Sequence, residues 1–192
     1  NMISGVANKV TNSNGAIVMG AGNSIKNSSA AFDTSAYSTP YNSVATMQKA
    51  LMDGVARSAG GSTLAIGGAN AAEYTQASQL NGVGNTLTGK SGNVSKYNML
   101  DGYKNKASNV QHVSVIGSEN NVTNTNGAVV FGDKRTLTGA DGSVVIGSSQ
   151  AGTSTSVKNA VAIGSEANVT KEGGVALGAG SVASVDKGLS LI

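Results

Sequence analysis

The stretches HVSVIGSENNVT (112–123), GAVVFGDKRTLT (127–138) and GSVVIGSSQAGT (142–153) repeat one pattern at a regular interval. Each has a short apolar run that ends in Gly, followed by a polar stretch. That stretch often has Asn or Ser three residues after the Gly and an apolar residue five after it. Self-similarity at a fixed period is typical of proteins in which small structural units stack along one axis. We therefore expect a stacked repeat fold.

The same unit recurs along most of the chain. Further clear copies are NAVAIGSEANVT (159–170), GGVALGAGSVAS (173–184), AIVMGAGNSI (16–25) and LAIGGANAA (64–72). The key glycines of all copies, including the weaker ones, are Gly5, Gly20, Gly67, Gly82, Gly102, Gly117, Gly132, Gly147, Gly164 and Gly178. The sequence numbers of successive key glycines differ by 15, 47, 15, 20, 15, 15, 15, 17 and 14. A ground period of 15 is therefore interrupted by one long insertion and two short ones.

Each repeat has the composition of two short strands. The apolar runs are rich in Val and Ile, which is typical of strands, and Gly would end a helix of that length. The polar stretch then alternates polar and apolar residues, which indicates a second strand. We predict an all-β, parallel β-solenoid of about ten rungs, each built from a strand, a Gly corner, a strand and a turn. Rungs about 4.8 Å apart would make a rod roughly 45–50 Å long. The corner Gly is expected to supply a positive φ or a close backbone approach.

The apolar runs also predict self-association. Val129-Val130-Phe131 and Val144-Val145-Ile146 are apolar at consecutive positions, and consecutive strand residues point to opposite faces. Both faces of these strands are therefore expected to be buried. A two-strand rung has only one interior, so the other face needs a different cover. Identical chains in a closed assembly are the default solution.

The composition narrows the class of protein. Only 12% of the 192 residues are charged, against about a quarter in an average domain. The net charge of +3, from scattered basic residues, is too small to indicate nucleic-acid binding. The sequence has no Cys, which excludes disulfides and thiolate sites, and no apolar run approaches the ~20 residues of a transmembrane helix. Because the chain starts and stops inside the repeat pattern, we expect it to be a fragment of a longer protein.

The runs NAVAIGS (159–165) and GVALGA (174–179) resemble the head repeats of trimeric autotransporter adhesins, the YadA-like head. The resemblance covers residues 1–27 and 62–185. The chain departs from the family's motif at Ala160, where the motif has Ser, and most of its rungs are one residue longer. It also contains no long heptad stalk and no anchor.

The resemblance implies a left-handed parallel β-roll with three chains side by side. It further implies a surface adhesin of a Gram-negative bacterium, carried on a stalk and an outer-membrane anchor. Such heads attach by non-covalent binding to host matrix proteins or to other cells, a role in virulence, coaggregation and biofilm formation. We expect this chain to reach the membrane only through a C-terminal anchor that lies outside it.

Two regions depart from the period. Residues 28–61 form an insertion, which adds about 17 residues if it spans two rung steps and about 32 if it spans one. Within it, Val44, Met47, Leu51 and Val55 have helical spacing, and Ser43 is a suitable N-cap. We predict a short amphipathic helix over 43–59. Packing of its apolar face on the roll is favoured over a partner-binding protrusion. Residues 73–109 are expected to form irregular rungs.

The best candidates for ligand binding are aromatic and basic residues in or beside these regions, because Tyr is enriched at interfaces. Ordinary rung-edge residues are favoured over an adhesive surface. The candidates are Tyr37, Tyr41, Tyr97, Tyr103, Lys104 and Lys106.

No arrangement of residues predicts catalysis, a cofactor or a metal. GNTLTGKS (84–91) matches the phosphate loop of nucleotide-binding proteins, but Gly92-Asn93 follows it as a turn signal where a helix is needed. We interpret it as a rung corner and its exit turn, with no nucleotide. His112 is the only histidine and is expected on a rung face. Glu119 and Glu166 fall at equivalent rung positions and are expected on one solvated stripe. A surface adhesin is thus the main hypothesis, with a ligand-free structural spacer second and a solenoid enzyme remote.

Overall fold

The computed structural model describes residues 1–31, 43–58 and 61–186. In chain order the elements are β1 (Met2–Val6), β2 (Lys9–Thr11), β3 (Ile17–Ala21), β4 (Ser24–Lys26), α1 (Val44–Ser58), β5 (Thr63–Gly68), β6 (Ala71–Glu73), β7 (Thr75–Gln76), β8 (Ser78–Val83), β9 (Thr86–Thr88), β10 (Ser95–Lys96), β11 (Met99–Tyr103), β12 (Lys106–Ser108), β13 (Ser114–Ser118), β14 (Asn121–Thr123), β15 (Val129–Asp133), β16 (Thr136–Thr138), β17 (Val144–Ile146), β18 (Ser154–Thr155), β19 (Val161–Ile163), β20 (Asn168–Val169), β21 (Val175–Leu177) and β22 (Val182–Ala183).

The strands stack as a parallel β-solenoid, which confirms the predicted fold class. Sheet I has ten strands in the order β1-β3-β5-β8-β11-β13-β15-β17-β19-β21, one from each rung. Sheet II has eight strands in the order β18-β16-β14-β12-β9-β6-β4-β2, and β20 pairs with β22 beyond it. Equivalent residues of successive rungs are direct partners, as Val115 is of Val130. The expected unit of strand, Gly and second strand is therefore confirmed.

The key glycines form a column along sheet I, which we call the glycine column. Gly117 is paired with Gly102 on one side and Gly132 on the other. It has a φ of +138°, and a Cβ added to it would lie 1.8 Å from the carbonyl oxygen of Gly132. Both expected reasons for Gly, a positive φ and a close backbone approach, are therefore confirmed here.

The corners of each rung lie at other residues than the key glycines. In the rungs from β1 to β15 the strand of sheet I continues one residue past the Gly, as β13 does at Ser118. The chain then turns through Glu119 (φ 57°) and again through Asn124 (φ 49°) and Gly127 (φ 67°). Three left-handed residues per rung, often Asn or Gly, thus replace the single Gly corner of the sequence-based scheme.

The interior of the rod is filled by inward-facing strand residues and by buried apolar residues between the strands, such as Val113 and Ala128. Val115 and Val130 of sheet I and Val122 and Leu137 of sheet II are fully buried. The flanking residues of the same strands, such as Phe131, remain half-exposed in the single chain. The side chains that point inward therefore form the core, and those that point outward from sheet I form a second apolar surface.

A buried row of asparagines, here called the asparagine ladder, runs beside the glycine column. Its members are Asn8, Asn23, Asn70, Asn85, Asn105 and Asn120, and all but Asn8 are buried. In a typical step, Asn105 donates from Nδ2 to the Gly117 carbonyl (2.7 Å) and accepts from the backbone N–H of Asn120 (3.2 Å). Each amide thereby satisfies backbone groups of the next rung.

Arg135 takes the next position of the asparagine ladder. It is 1% exposed, and its backbone N–H donates to Oδ1 of Asn120 at 2.9 Å. Its guanidinium donates to the carbonyls of Gly147, Gly164 and Ala167, so it spans the next two rungs. Burial lowers the pKa of Arg135 from its usual value, whereas the charge of Glu166 acts in the opposite direction. The rungs beyond it have shorter strands in sheet I, three residues instead of five.

The insertion between β4 and β5 adds residues without adding a rung. Gly20 pairs directly with Gly67, so the interval of 47 is one rung step and the larger of the two expected lengths, about 32 extra residues, is correct. The irregular region 73–109 keeps the strand register of its neighbours, since Gly82 pairs with both Gly67 and Gly102. Its extra residues form a turn in which Lys90 and Asn93 are bonded to each other.

Candidate functional site

The outward side of sheet I is an apolar surface, which we call the outer apolar face. It consists of the residues one and three positions before each key Gly. In the column directly before the glycines, Met19, Ile66, Ile116, Phe131, Ile163 and Leu177 are 37–64% exposed. Large exposed apolar surfaces mark interaction sites on soluble proteins. The predicted second apolar surface of the strand runs is therefore present, and nothing within the described chain covers it.

One edge of the outer apolar face, the Tyr97 edge, carries two stacked rings. Tyr97 and His112 occupy the same left-handed corner in successive rungs, and their ring centroids are 4.8 Å apart. Lys96 Nζ lies 5.6 Å from the Tyr97 ring centroid. Tyr97 and Met99 also line a groove of about 360 Å³ whose floor includes Ala77. This edge offers an exposed aromatic surface beside a positive charge.

The opposite edge of the same face, the Tyr103 edge, carries a second pair of Lys and Tyr. Lys104 Nζ lies 5.0 Å from the Tyr103 ring centroid. The hydrogen bond with Tyr103 raises the pKa of Lys104, and its interaction with Glu119 adds to the rise. Lys104 and Lys106 line a polar groove with Glu119. The edge therefore holds positive charges next to an aromatic ring.

The structure divides the candidate ligand-binding residues into separate groups. Tyr103, Lys104 and Lys106 lie together at the Tyr103 edge, whereas Tyr97 lies at the other end of β11. The five residues of that strand hold the two groups roughly 15–20 Å apart. Tyr37 and Tyr41 lie outside the described residues. The candidates thus define two surfaces of one rung.

Helix α1 is present as predicted, but its apolar face is not packed on the roll. The Ser43 hydroxyl accepts the backbone N–H of Thr46 at 3.2 Å, which confirms the predicted N-cap. Val44, Met47, Leu51 and Val55 are 80%, 46%, 37% and 39% exposed. The favoured interpretation was therefore wrong for the single chain.

Glu166 is held by a small polar cluster that the sequence pattern missed. Its carboxylate accepts hydrogen bonds from the backbone N–H of Gln150 and from the hydroxyls of Ser149 (2.8 Å) and Thr153 (2.9 Å). These bonds lower the pKa of Glu166 to about 2, the Gln150 N–H contributing most. The expected stripe with Glu119 is correct in position, since both occupy the same left-handed corner. Glu166 is nevertheless hydrogen-bonded to the loop 149–153 and not simply solvated.

We expect Glu166 to make the stability of the rod depend on pH. Its pKa is lower in the folded state than the usual value of about 4.5, so its contribution is present above pH 4.5 and is lost between about pH 4.5 and pH 2. Thermal unfolding of Glu166→Gln, followed by circular dichroism, should show a lower midpoint at pH 7 and a smaller fall below pH 4.5. Glu119→Gln, at the equivalent corner without carboxylate hydrogen bonds in the described chain, is the control. Equal acid profiles for wild type and Glu166→Gln would contradict this role.

The residues of GNTLTGKS lie in a rung, as interpreted. Thr86–Thr88 form β9 of sheet II, Asn85 belongs to the asparagine ladder, and Lys90 pairs with Asn93 in the turn that follows. His112 lies exposed at a rung corner. Within residues 1–31, 43–58 and 61–186, no group of three or more His, Cys, Asp or Glu is placed to hold a metal ion. No helix in these ranges is long and apolar enough to span a membrane.

No protein-family model matches the chain, and no curated protein matches it. What the geometry defines is a β-solenoid with one apolar outer face and two aromatic and basic edges.

Proposed function

We propose that this chain is the head of a trimeric surface adhesin, which binds host matrix proteins or other cells through several weak, identical sites. The observation that carries the proposal is the outer apolar face. An apolar column along a rod is costly to expose to water, and a second and third copy of the same rod would cover it. The repeat motifs that resemble YadA-like heads support the same assembly.

We place the protein on the surface of a Gram-negative bacterium, attached to its outer membrane. In that setting a rigid rod presents the same edge several times, and attachment strengthens because the sites act together. The Tyr97 edge, the Tyr103 edge and helix α1 are the candidate contact surfaces. The two edges flank the outer apolar face, so their Tyr and Lys side chains can reach a ligand.

Light scattering should give three times the 18.9 kDa mass of the chain. Phe131→Lys should weaken self-association about tenfold or more, because a lysine on an apolar interface loses its hydration without gaining a partner. Thr138→Lys, an exposed change in the same rung on sheet II, is the matched control and should leave the mass unchanged. A wild-type chain that is monomeric at all concentrations would contradict the assembly.

Ligand binding is tested by an array of purified matrix proteins and intact bacterial cells. The insertion can be replaced by a short Gly-Ser linker, since its ends are close: a Cβ added to Gly61 would lie 2.6 Å from the Ser28 carbonyl oxygen. Wild type should bind at least one surface, and the variant without the insertion shows whether α1 carries the site.

Two double variants distinguish the contributions of the two edges to ligand binding. Tyr97→Ala with Lys96→Ala should lower binding about tenfold or more if the Tyr97 edge is used, and Tyr103→Ala with Lys104→Ala if the other is. Loss in both would indicate a ligand that spans β11. If the trimer forms and no surface on the array is bound, the chain is a structural spacer and the adhesive function is wrong.

A further inference from the structure

The outer apolar face is interrupted at one level of the rod. Most residues of its two columns are apolar, and the exceptions are Ser4, Gln79, Asn81, Asp101 and Ser114. Four of these five lie in the three successive strands β8, β11 and β13. Asn81 and Asp101 are direct partners in sheet I and lie between Ile66 and Ile116 of the same column. We call this pair the polar layer.

Neither side chain of the polar layer is used within the chain. Asp101 is exposed and Asn81 is partly exposed. In the described part of the protein neither side chain makes a hydrogen bond; their backbone carbonyls accept bonds from Asn105 and Asn85. The core behind them is apolar, with Leu80 and Leu100 fully buried. The fold of these rungs therefore does not depend on the two side chains of the polar layer.

A self-associating rod with equal rungs has a register problem. The Cα pairing repeats from rung to rung, so a second copy displaced by one rung, about 4.8 Å, would again place apolar columns against apolar columns. Displaced copies lose only the contacts of the end rungs. Apolar contact alone thus discriminates poorly between aligned and displaced assemblies.

We propose that Asn81 and Asp101 set the alignment of the copies, by pairing with the same polar layer of a second copy of this chain. This inference rests on the self-association proposed above. In an aligned, symmetric assembly the polar layers meet, and the Asn81 amide of one copy can donate to the Asp101 carboxylate of another. When two copies are displaced by one rung, Asp101 of one copy would face Ile116 of the other, and Asn81 of that other copy would face Ile66, so each would be buried without a partner. A single polar position in an apolar interface is known to fix register in this way.

The test removes the polar layer and keeps the strands. The variant Asn81→Ile with Asp101→Ile continues the column of Ile66 and Ile116 with a residue that favours strands. Displaced contacts do not close into a symmetric assembly, and so they continue into longer, staggered ones. We expect one mass for wild type and a broad range of larger masses for the variant, measured by light scattering and native mass spectrometry. Ser114→Ile, a neighbouring polar-to-apolar change without loss of the layer, should keep one mass.

A mixing experiment gives an independent reading. Wild-type chains with two different tags, unfolded and refolded together, should form mixed assemblies in the statistical proportion. Wild type and the Asn81→Ile, Asp101→Ile variant should form mixed assemblies about tenfold less often, because a mixed contact buries Asp101 against Ile. Ser114→Ile should mix with wild type freely.

The outcomes separate the two proposals. Formation of one closed mass by the variant, together with free mixing, would overturn the alignment role and leave the trimer proposal intact. A wild-type chain that stays monomeric would overturn both. A wild-type trimer with a polydisperse or self-sorting variant supports the polar layer as the register determinant.

Discussion

Replacement of Gly117 by alanine is expected to remove about 3–5 kcal/mol or more of stability, a large part of the 5–15 kcal/mol that holds a typical domain together. Two effects add. Gly117 has a φ of +138°, a conformation that L-residues rarely adopt, and its added Cβ would lie 1.8 Å from the Gly132 carbonyl oxygen. That oxygen also accepts the Asn120 amide at 2.7 Å, so a shift that relieves the clash would break the asparagine ladder.

Gly127→Ala is the matched control for the glycine column. Gly127 also has a positive φ, +67°, but no atom lies within 4 Å of an added Cβ. It should therefore show only the cost of the left-handed conformation, about 1–2 kcal/mol. Urea unfolding followed by circular dichroism measures both variants, since the chain has no Trp. Equal losses for the two variants would show that the close approach between rungs is unimportant.

Arg135→Met is the second substitution with a large expected effect, also about 3–5 kcal/mol. The guanidinium satisfies the carbonyls of Gly147 (2.7 Å), Gly164 (2.8 Å) and Ala167. Met has a similar length and no donor, so the carbonyls of Gly147 and Ala167 would lose the guanidinium, each at about 1–3 kcal/mol when buried, and Gly164 would keep only the Ala167 N–H. Because rungs interact mainly with their neighbours, we expect the loss to concentrate beyond β16.

Two further variants at this site should lose less stability than Arg135→Met. Arg135→Asn restores the residue type of the ladder and can reach the Gly147 carbonyl, as Asn120 reaches that of Gly132, so its loss should be intermediate. Lys134→Met, an exposed neighbour, should change stability by no more than about 0.5 kcal/mol. Hydrogen exchange of residues 142–186 measures where the loss occurs. Unchanged protection there in Arg135→Met would contradict the bridging role.

Much of the rung could be predicted from the sequence because its constraints are local and repeated. A strand run that ends in Gly at nearly every fifteenth position leaves few ways to fold, and the observed register pairs glycine with glycine. The same repetition identified an unusual surface, since consecutive apolar residues cannot all enter one narrow core. The polar layer is visible in the sequence too, as Asn81 and Asp101 interrupt an apolar column once the register is known.

The candidate binding surfaces were less predictable. The sequence placed Tyr97, Tyr103 and Lys104 in one irregular region, whereas the fold holds Tyr97 at one end of a strand and the other two at its far end. Asn or Ser three residues after each Gly was apparent as a pattern, but nothing local shows that the position is buried. Arg135 falls at that position, three residues after Gly132, and its place in the pattern could have identified it as the ladder residue of its rung.

The sequence by itself determined the strand unit, its period and the sites that only glycine can occupy. These depend on backbone sterics within a rung and between identical neighbours, and so a repeat is enough to specify them. The tertiary structure alone decided which strand face is buried, that the insertion spans one rung step, and that Arg135 and Glu166 bridge separate rungs. Such outcomes depend on partners 12 to 47 residues away, whose positions exist only after the rungs have stacked.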